Sequence, residues 1–420
     1  MRILIATEAE RSHFLNLVPL GWALRAAGHE VLVASQPALE PVVRAVGLPY
    51  ASVGRDHQLR RVLRHKLRLL PGRPAEHFGF DMAEDSDDVL TWDYLREGYD
   101  RALTWWWRMV NEPMADDLAD LCRAWRPDLV VWEPITFSAA VAAEACGVRH
   151  VRYLWGADLF ARIRERFLAR WAEQPEDERE DPLAAWLTRM AVRQGVEFSE
   201  TLVTGHATIE QVPSPLRVPT PERIRYLPVR YVPYNGRAVV PDWLRTPPDR
   251  PRVGLCLGSS TTEWYGGHEI DLSAVLEGLA DLDAEVVATL PDAERERLGT
   301  VPPNVRLVDY TPLHALAPTC AAMITHGGPG SALTALSHGV PQLLTPGTNM
   351  FDTVLIARLV ERAGAGRLLA PDQVTAQSVE REVRLLLEDS RHTAAAGDVR
   401  DRMAAMPAPA DLARTLTTLD

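Results

Sequence analysis

The chain has no surplus of positive charge. Its 420 residues carry 45 Lys and Arg against 57 Asp and Glu, a formal net charge of −12, with a pI near 5.5. Nucleic acid is therefore excluded as the main partner, because phosphate contacts need clustered Lys and Arg. A local basic run, Arg60 to Arg68, reads as the solvated face of a helix. Cysteine is scarce as well. Cys122, Cys146, Cys256 and Cys320 include no C-x-x-C pair, so neither a zinc ribbon nor a disulfide framework is expected, and buried free thiols of an intracellular enzyme fit better. Long apolar runs are missing too. Ile3 to Ala6 turns charged at Glu8-Ala9-Glu10-Arg11, too soon for a signal peptide, and no stretch suits a bilayer span, so the expectation is a cytoplasmic protein.

What is present is a globular composition, 46% hydrophobic and 24% charged, in a chain long enough for two α/β domains. Arg2 to Thr7 is a short apolar run suited to a strand buried on both faces. A helix follows, carried by Leu15, Val18, Leu20, Trp22 and Leu24 and stopped by Gly28, and Glu30 to Ala34 is the next strand. Strand, helix and strand in about 35 residues make one right-handed βαβ unit. The pattern recurs at Pro127 to Trp132, Phe137 to Cys146 and Val148 to Leu154. Residues 56–110 break the alternation and read as inserted helices, with Trp105-Trp106-Trp107 packing into the core.

Residues 213–251 hold nearly a third of the 32 prolines, a stiff composition suited to a linker. Beyond it, Arg252 to Leu257 opens into Gly258-Ser259, and Glu285 to Leu290, Asn304 to Val308, Cys320 to Thr325 and Gln342 to Thr345 repeat the strand signal. The expected fold class is α/β, two Rossmann-like doubly wound domains facing an interdomain cleft.

The most informative stretch is Thr325-His326-Gly327-Gly328-Pro329-Gly330-Ser331, set between a strand and the helix Ala332 to His338. Glycines let the backbone approach an anion, and a helix start offers free N–H groups and a positive dipole end. His326 and Ser331 add side-chain donors. A P-loop would need Lys after the last glycine, and a dinucleotide loop would follow the first strand of its unit, so neither fits.

Residues His326 to Gly366 and the opening Ser12 to Val31 resemble the signatures of inverting glycosyltransferases of the GT-B fold. The nearest in look are the actinobacterial enzymes that attach dTDP-deoxysugars in antibiotic biosynthesis. The resemblance implies an acceptor-binding domain at 1–212, a linker at 213–250, a nucleotide-sugar domain at 251–400, and a tail at 401–420 that can return to the first domain. It assigns His326, Ser331 and the backbones of Gly328 and Gly330 to the diphosphate, with Gly258 and Ser259 approaching the same phosphates. Tyr310 stands where the family stacks an aromatic on the base. Where the family holds the sugar with an Asp-Gln pair, this chain has Asp352-Thr353, which suits a sugar lacking a hydroxyl.

His13 is the expected general base. Ser12 is positioned to cap the helix beginning here, and a positive helix end disfavours protonation of the imidazole. The resemblance places Glu133 as the carboxylate that orients it. Donor sugar is a substrate, so no cofactor is expected, and no metal: Asp281-Leu282-Asp283 spells D-x-D but reads as a solvated loop. Expected partners are the nucleotide sugar and a small natural-product acceptor. To these the resemblance adds an auxiliary activator protein on the 56–110 insertion, and a homodimer is a further expectation. The competing readings are a nucleotide-sugar epimerase on the same fold and a non-catalytic nucleotide-sugar-binding subunit.

Overall fold

The structure is a computed structural model that describes residues 1–69, 80–219, 221–258, 269–347 and 352–419. The chain divides into two units. The first gathers 1–211, 218–229 and 407–420; the second holds 212–217 and 230–406.

The first unit is built on seven parallel strands: β1 (Arg2–Ala6), β2 (Glu30–Ser35), β3 (Tyr50–Ser52), β4 (Leu129–Trp132), β5 (Arg149–Tyr153), β6 (Ala207–Glu210) and β7 (Tyr226–Pro228). They lie in the order β3-β2-β1-β4-β5-β6-β7. Ile3, Leu4, Ile5 and Ala6 pair with Leu129, Val130, Val131 and Trp132 through a parallel register with β4, Ile3 opposite Leu129. These residues are buried, the mark of a sheet covered on both faces. Helix α1 (Arg11–Ala26) follows β1, and the Pro409–Leu416 helix packs against it.

β7 falls inside the proline-rich stretch read as a linker. Its residue Pro228 has no N–H to give, which an edge strand tolerates, while Leu227 and Val229 turn inward and are buried. The 56–110 insertion is helical at Leu59–Leu69 and Trp92–Ala102 and then widens into a π-wound turn over Leu103–Trp107. Trp107 is fully buried there, against Tyr99, Phe137 and Phe160, while Trp105 and Trp106 are half-buried.

The second unit has six parallel strands: β8 (Arg252–Cys256), β9 (Glu285–Thr289), β10 (Val305–Val308), β11 (Ala322–Thr325), β12 (Gln342–Leu344) and β13 (Gly366–Leu368), ordered β10-β9-β8-β11-β12-β13. In both sheets the strand order reverses direction beside the first strand, between β1 and β4 and between β8 and β11. Ligands of doubly wound sheets bind at the carboxyl ends of strands flanking such a reversal. Four loops meet that description, after β1, β4, β8 and β11. Among the described residues no helix is long and apolar enough to cross a membrane.

Candidate active site

In the first unit the loops after β1 and β4 bring Glu8, His13 and Glu133 together. His13 Nδ1 lies 3.3 Å from Glu8 Oε1 and 3.5 Å from Glu133 Oε2. Both carboxylates are buried to about the last percent, whereas the imidazole keeps 13% of its surface. One ring face stacks on Trp155, with centroids 4.6 Å apart and planes 21° from parallel. With Nδ1 engaged by carboxylates, Nε2 is the nitrogen left for a substrate.

A buried carboxylate is costly unless its oxygens are bonded. Glu133 is well supplied: the Thr136 hydroxyl donates to Oε1, the Trp155 indole N–H to Oε2 at 3.2 Å, and the Ile135 amide to Oε2 at 3.3 Å. Glu8 N–H donates to the Thr136 hydroxyl oxygen at 2.9 Å, so one threonine joins the two loops. Both loops are held from behind. Asn111 Nδ2 donates to Ile135 O and Trp107 O, and its Oδ1 accepts from Ser138 N–H. Gln36 Oε1 accepts from Ala9 N–H while its Nε2 donates to Val110 O.

Two expectations change here. Glu10, not Ser12, occupies the helix cap, and its Oε1 accepts from Ser12 N–H at 3.3 Å. Glu10 meets an orphan first-turn donor two residues on and brings a charge suited to the positive helix end. His13 is accordingly not held neutral. Burial pulls its pKa down, but hydrogen bonds and charges from Glu133 and Glu8 outweigh that and push it up to about 10. A helix end contributes at most 2 or so kcal/mol, and Glu10 already offsets it. Burial also raises Glu8 above the usual carboxylate range, with His13 opposing. Glu10 is likewise raised by burial, yet His13, Arg60 and the Ser12 N–H carry it below that range.

In the second unit, β11 runs into His326-Gly327-Gly328 and the Pro329–Ser337 helix, which begins three residues earlier than the sequence suggests because proline suits a first helical turn. The His326 ring lies between two glycines. A Cβ on Gly258 would sit 2.5 Å from His326 Cε1, and one on Gly328 would sit 2.4 Å from Nε2. Gly258 also has φ +75°, in the left-handed region. Gly327, at φ +80°, passes close to the Thr353 carbonyl, so Asp352-Thr353 stands beside the same loop. Asp352 is fully buried at the start of the Thr353–Arg362 helix.

A Cβ on Gly330 would meet nothing within 4 Å, and a residue this close to a helix start has no carbonyl one full turn before it within the helix for its N–H. That is the open side of the helix mouth. Ser331 is turned differently from expectation: its hydroxyl donates to Gly328 O at 3.0 Å, and its N–H to the same carbonyl at 3.1 Å. The backbone thus carries more of any anion contact than the side chain does. Tyr310 is exposed, its hydroxyl donating to Asn235 O at 2.7 Å. Ser259 lies outside the described residues.

Sequence reasoning missed Tyr231, buried among the prolines. Its hydroxyl lies 3.0 Å from Gly330 O and 3.1 Å from the Thr334 hydroxyl, which donates to that carbonyl at 2.6 Å. Tyr231 thereby fixes the first turn of the helix. Tyr231→Phe should cost about 1 kcal/mol of stability, the ordinary worth of a buried hydrogen bond, measured by denaturant unfolding.

Two groups have metal-ligand residue types, Glu8 with His13 and Glu133, and Glu144 with His150 and His206. Neither donor set fits an ion. In the first, Glu133 already accepts from three donors, and His13 turns Nδ1 toward both carboxylates. In the other group, Trp132 Nε1–H donates to His150 Nδ1 at 3.0 Å and the His150 N–H donates to His206 Nδ1 at 3.3 Å. With Nδ1 accepting from Trp132, His150 carries its ring proton on Nε2, 3.1 Å from Glu144 Oε1, so Glu144 accepts a hydrogen bond there rather than sharing a metal. The Asp281-Leu282-Asp283 segment lies in the turn before β9, with Asp283 exposed and 3.5 Å from Arg250.

Residues 22–258 match the model of the erythromycin biosynthesis protein CIII-like N-terminal domain, and residues 273–419 that of the C-terminal domain. The chain is 42% identical over 421 residues to the 10-deoxymethynolide desosaminyltransferase of Streptomyces venezuelae, covering 100% of this chain and 97% of that protein. It is 40% identical to the 3-alpha-mycarosylerythronolide B desosaminyl transferase of Saccharopolyspora erythraea, over 98% and 96% of the two chains. The crystal structure of the glycosyltransferase VinC in complex with dTDP superposes with a TM-score of 0.88 at 36% identity, over 100% of this chain and 99% of VinC.

Proposed function

The chain belongs to the erythromycin biosynthesis protein CIII-like family, and from that premise we propose that His13 is the general base, and the 326–331 helix mouth the diphosphate seat, of its transfer reaction. The protein is a GT-B glycosyltransferase that moves a deoxysugar from a dTDP-sugar to a hydroxyl of a small natural-product aglycone, a reading supported by the desosaminyltransferases it matches over 97% and 96% of their length and by its likeness to the dTDP-bound glycosyltransferase VinC. Those relatives are named as transferases, which leaves the epimerase and binding-only readings without support.

The observation that carries the assignment is the setting of His13, stacked on Trp155 with one nitrogen held by buried carboxylates and the other left to a substrate. His13 Nε2 takes the acceptor O–H proton as the oxygen attacks the anomeric carbon. The bond from that carbon to the diphosphate oxygen breaks on the opposite face, inverting the configuration. Charge collects on the departing nucleotide, where the Gly330 N–H at the helix mouth and the His326 ring meet it without reorganising. That seat makes a metal unnecessary. Gly258 adjoins it, Asp352 and Thr353 hold the sugar, and Tyr310 stacks on the base. Acceptor-dependent release of nucleotide from dTDP-, UDP- and GDP-sugars tests the reading; release without acceptor, or preference for UDP, contradicts it.

An auxiliary activator would dock on the 56–110 insertion, and full activity of the purified chain alone would remove the need for one. A homodimer and work in the cytoplasm complete the proposal.

The raised His13 pKa fixes the sign of the pH dependence. A base must lose its proton before it can act, and kcat/KM reports the free enzyme. With a pKa of about 10 the imidazole is protonated below that pH. Acceptor kcat/KM should therefore climb roughly tenfold per pH unit between pH 7 and 9. A plateau already reached at pH 7 would contradict the carboxylate setting.

A further inference from the structure

We propose that Glu8 is a second positioning residue for His13, gripping the same ring nitrogen as Glu133, so that the base is clamped by a pair of carboxylates rather than oriented by one. The proposal rests on the reading of His13 as the base.

The geometry carries it. Glu8 Oε1 and Glu133 Oε2 come to Nδ1 from the loops after two different strands, at 3.3 and 3.5 Å. A single acceptor fixes the tautomer of a histidine but leaves its ring a rocking motion. Carboxylates arriving from two loops, together with the Trp155 stack, limit it from three directions. Glu8 is itself fixed. Its N–H is bonded to Thr136, whose hydroxyl donates to Glu133, and the next residue, Ala9, is bonded to buried Gln36. Its outer oxygen, Oε2, lies 3.5 Å from His57 Nε2. Nothing about folding requires a second buried acid here, since burying a carboxylate disfavours the folded state unless a partner offsets it.

The charged groups around the ring agree with this division. Glu8 and Glu133 face Nδ1, His57 backs Glu8, and Glu10 at the helix cap is bonded to Arg60 at 2.7 Å. Glu10 feels the charge of His13 but is bonded to Arg60, whereas Glu8 and Glu133 face His13 Nδ1 directly. They stabilise the imidazolium that forms as the acceptor is deprotonated. The same attraction keeps the resting base protonated to high pH.

The test uses the full chain with isotope-labelled histidines, the His13 signals being assigned by their loss in His13→Gln. The imidazole is titrated from pH 6 to 11 in the wild type, Glu8→Gln and Glu133→Gln, and the pH profile of kcat/KM is recorded for each. We expect Glu8→Gln to lower the His13 midpoint by at least one pH unit, to move the rising limb of kcat/KM by the same amount, and to leave dTDP affinity unchanged. Glu133→Gln should do likewise. A midpoint unchanged in Glu8→Gln would overturn the proposal, and so would a loss of activity without any shift, which is what a merely structural role gives. Should Glu8→Gln fail to fold, as judged by its dTDP affinity and circular dichroism, Glu8→Asp serves instead: a shortened arm must lower the midpoint, and an unaltered one overturns the proposal. The titration needs no turnover, so it stands apart from the base assignment, which falls separately if His13→Ala keeps wild-type activity.

Discussion

His13→Ala should lower kcat by about 100- to 10,000-fold, the usual contribution of a positioned general base, while dTDP affinity changes less than twofold. Without Nε2, the acceptor hydroxyl must attack undissociated or give its proton to water, and neither route is oriented. The diphosphate seat belongs to the second unit, built by the loops after β8 and β11, so its own chemistry is untouched. Removing His13 also strips Glu8 and Glu133 of their shared partner. Breaking a buried charged group of this kind destabilises by several kcal/mol, so His13→Gln, which keeps some hydrogen bonding, is the companion variant. Steady-state kinetics with saturating acceptor and calorimetric titration with dTDP separate the two effects.

Gly258→Ala is expected to act on the donor and not on the base. The new methyl would stand 2.5 Å from His326 Cε1 at a φ of +75°, so either the ring moves or the backbone does. Overpacking of this kind costs about 1–3 kcal/mol. If that cost falls on the seat, dTDP binds roughly 5- to 150-fold more weakly. The control is Gly299→Ala, where a methyl meets nothing within 4 Å; it should bind dTDP as the wild type does. Equal affinity in all three proteins would mean that the His326 ring has no part in holding the nucleotide.

Much of the fold could be read from the chain because its elements are locally marked. Short apolar runs such as Ile3 to Ala6 and Val253 to Leu255 are buried on both faces, and glycine or a cap punctuates the helices between them. The glycine-rich mouth was legible for a related reason, since His326 and its glycines are contiguous and the clash partners of Gly328 lie two residues away. β7 was hidden by prolines that favour a linker yet fit an edge strand. Tyr231 gave no signal at all, because its partners Gly330 and Thr334 are about a hundred residues downstream.

The electrostatics of His13 were the least legible part. The sequence neighbours of that histidine suggest a helix end and a neutral ring. Its actual charge state is set by Glu133, 120 residues away, and by Glu8, which local pattern offers only as one acid in a charged run. Glu8 did carry a signal that topology makes meaningful. It is the first carboxylate past β1, the strand beside which the sheet order reverses.

The most direct trial of the account is chemical rescue. Single-turnover transfer from a dTDP-deoxysugar to acceptor would be followed in His13→Ala with increasing free imidazole. If His13 acts by taking the hydroxyl proton, imidazole should restore the rate in proportion to its concentration and to its neutral fraction, while leaving the wild type unaffected. Transfer by His13→Ala at the wild-type rate with no imidazole present would contradict it.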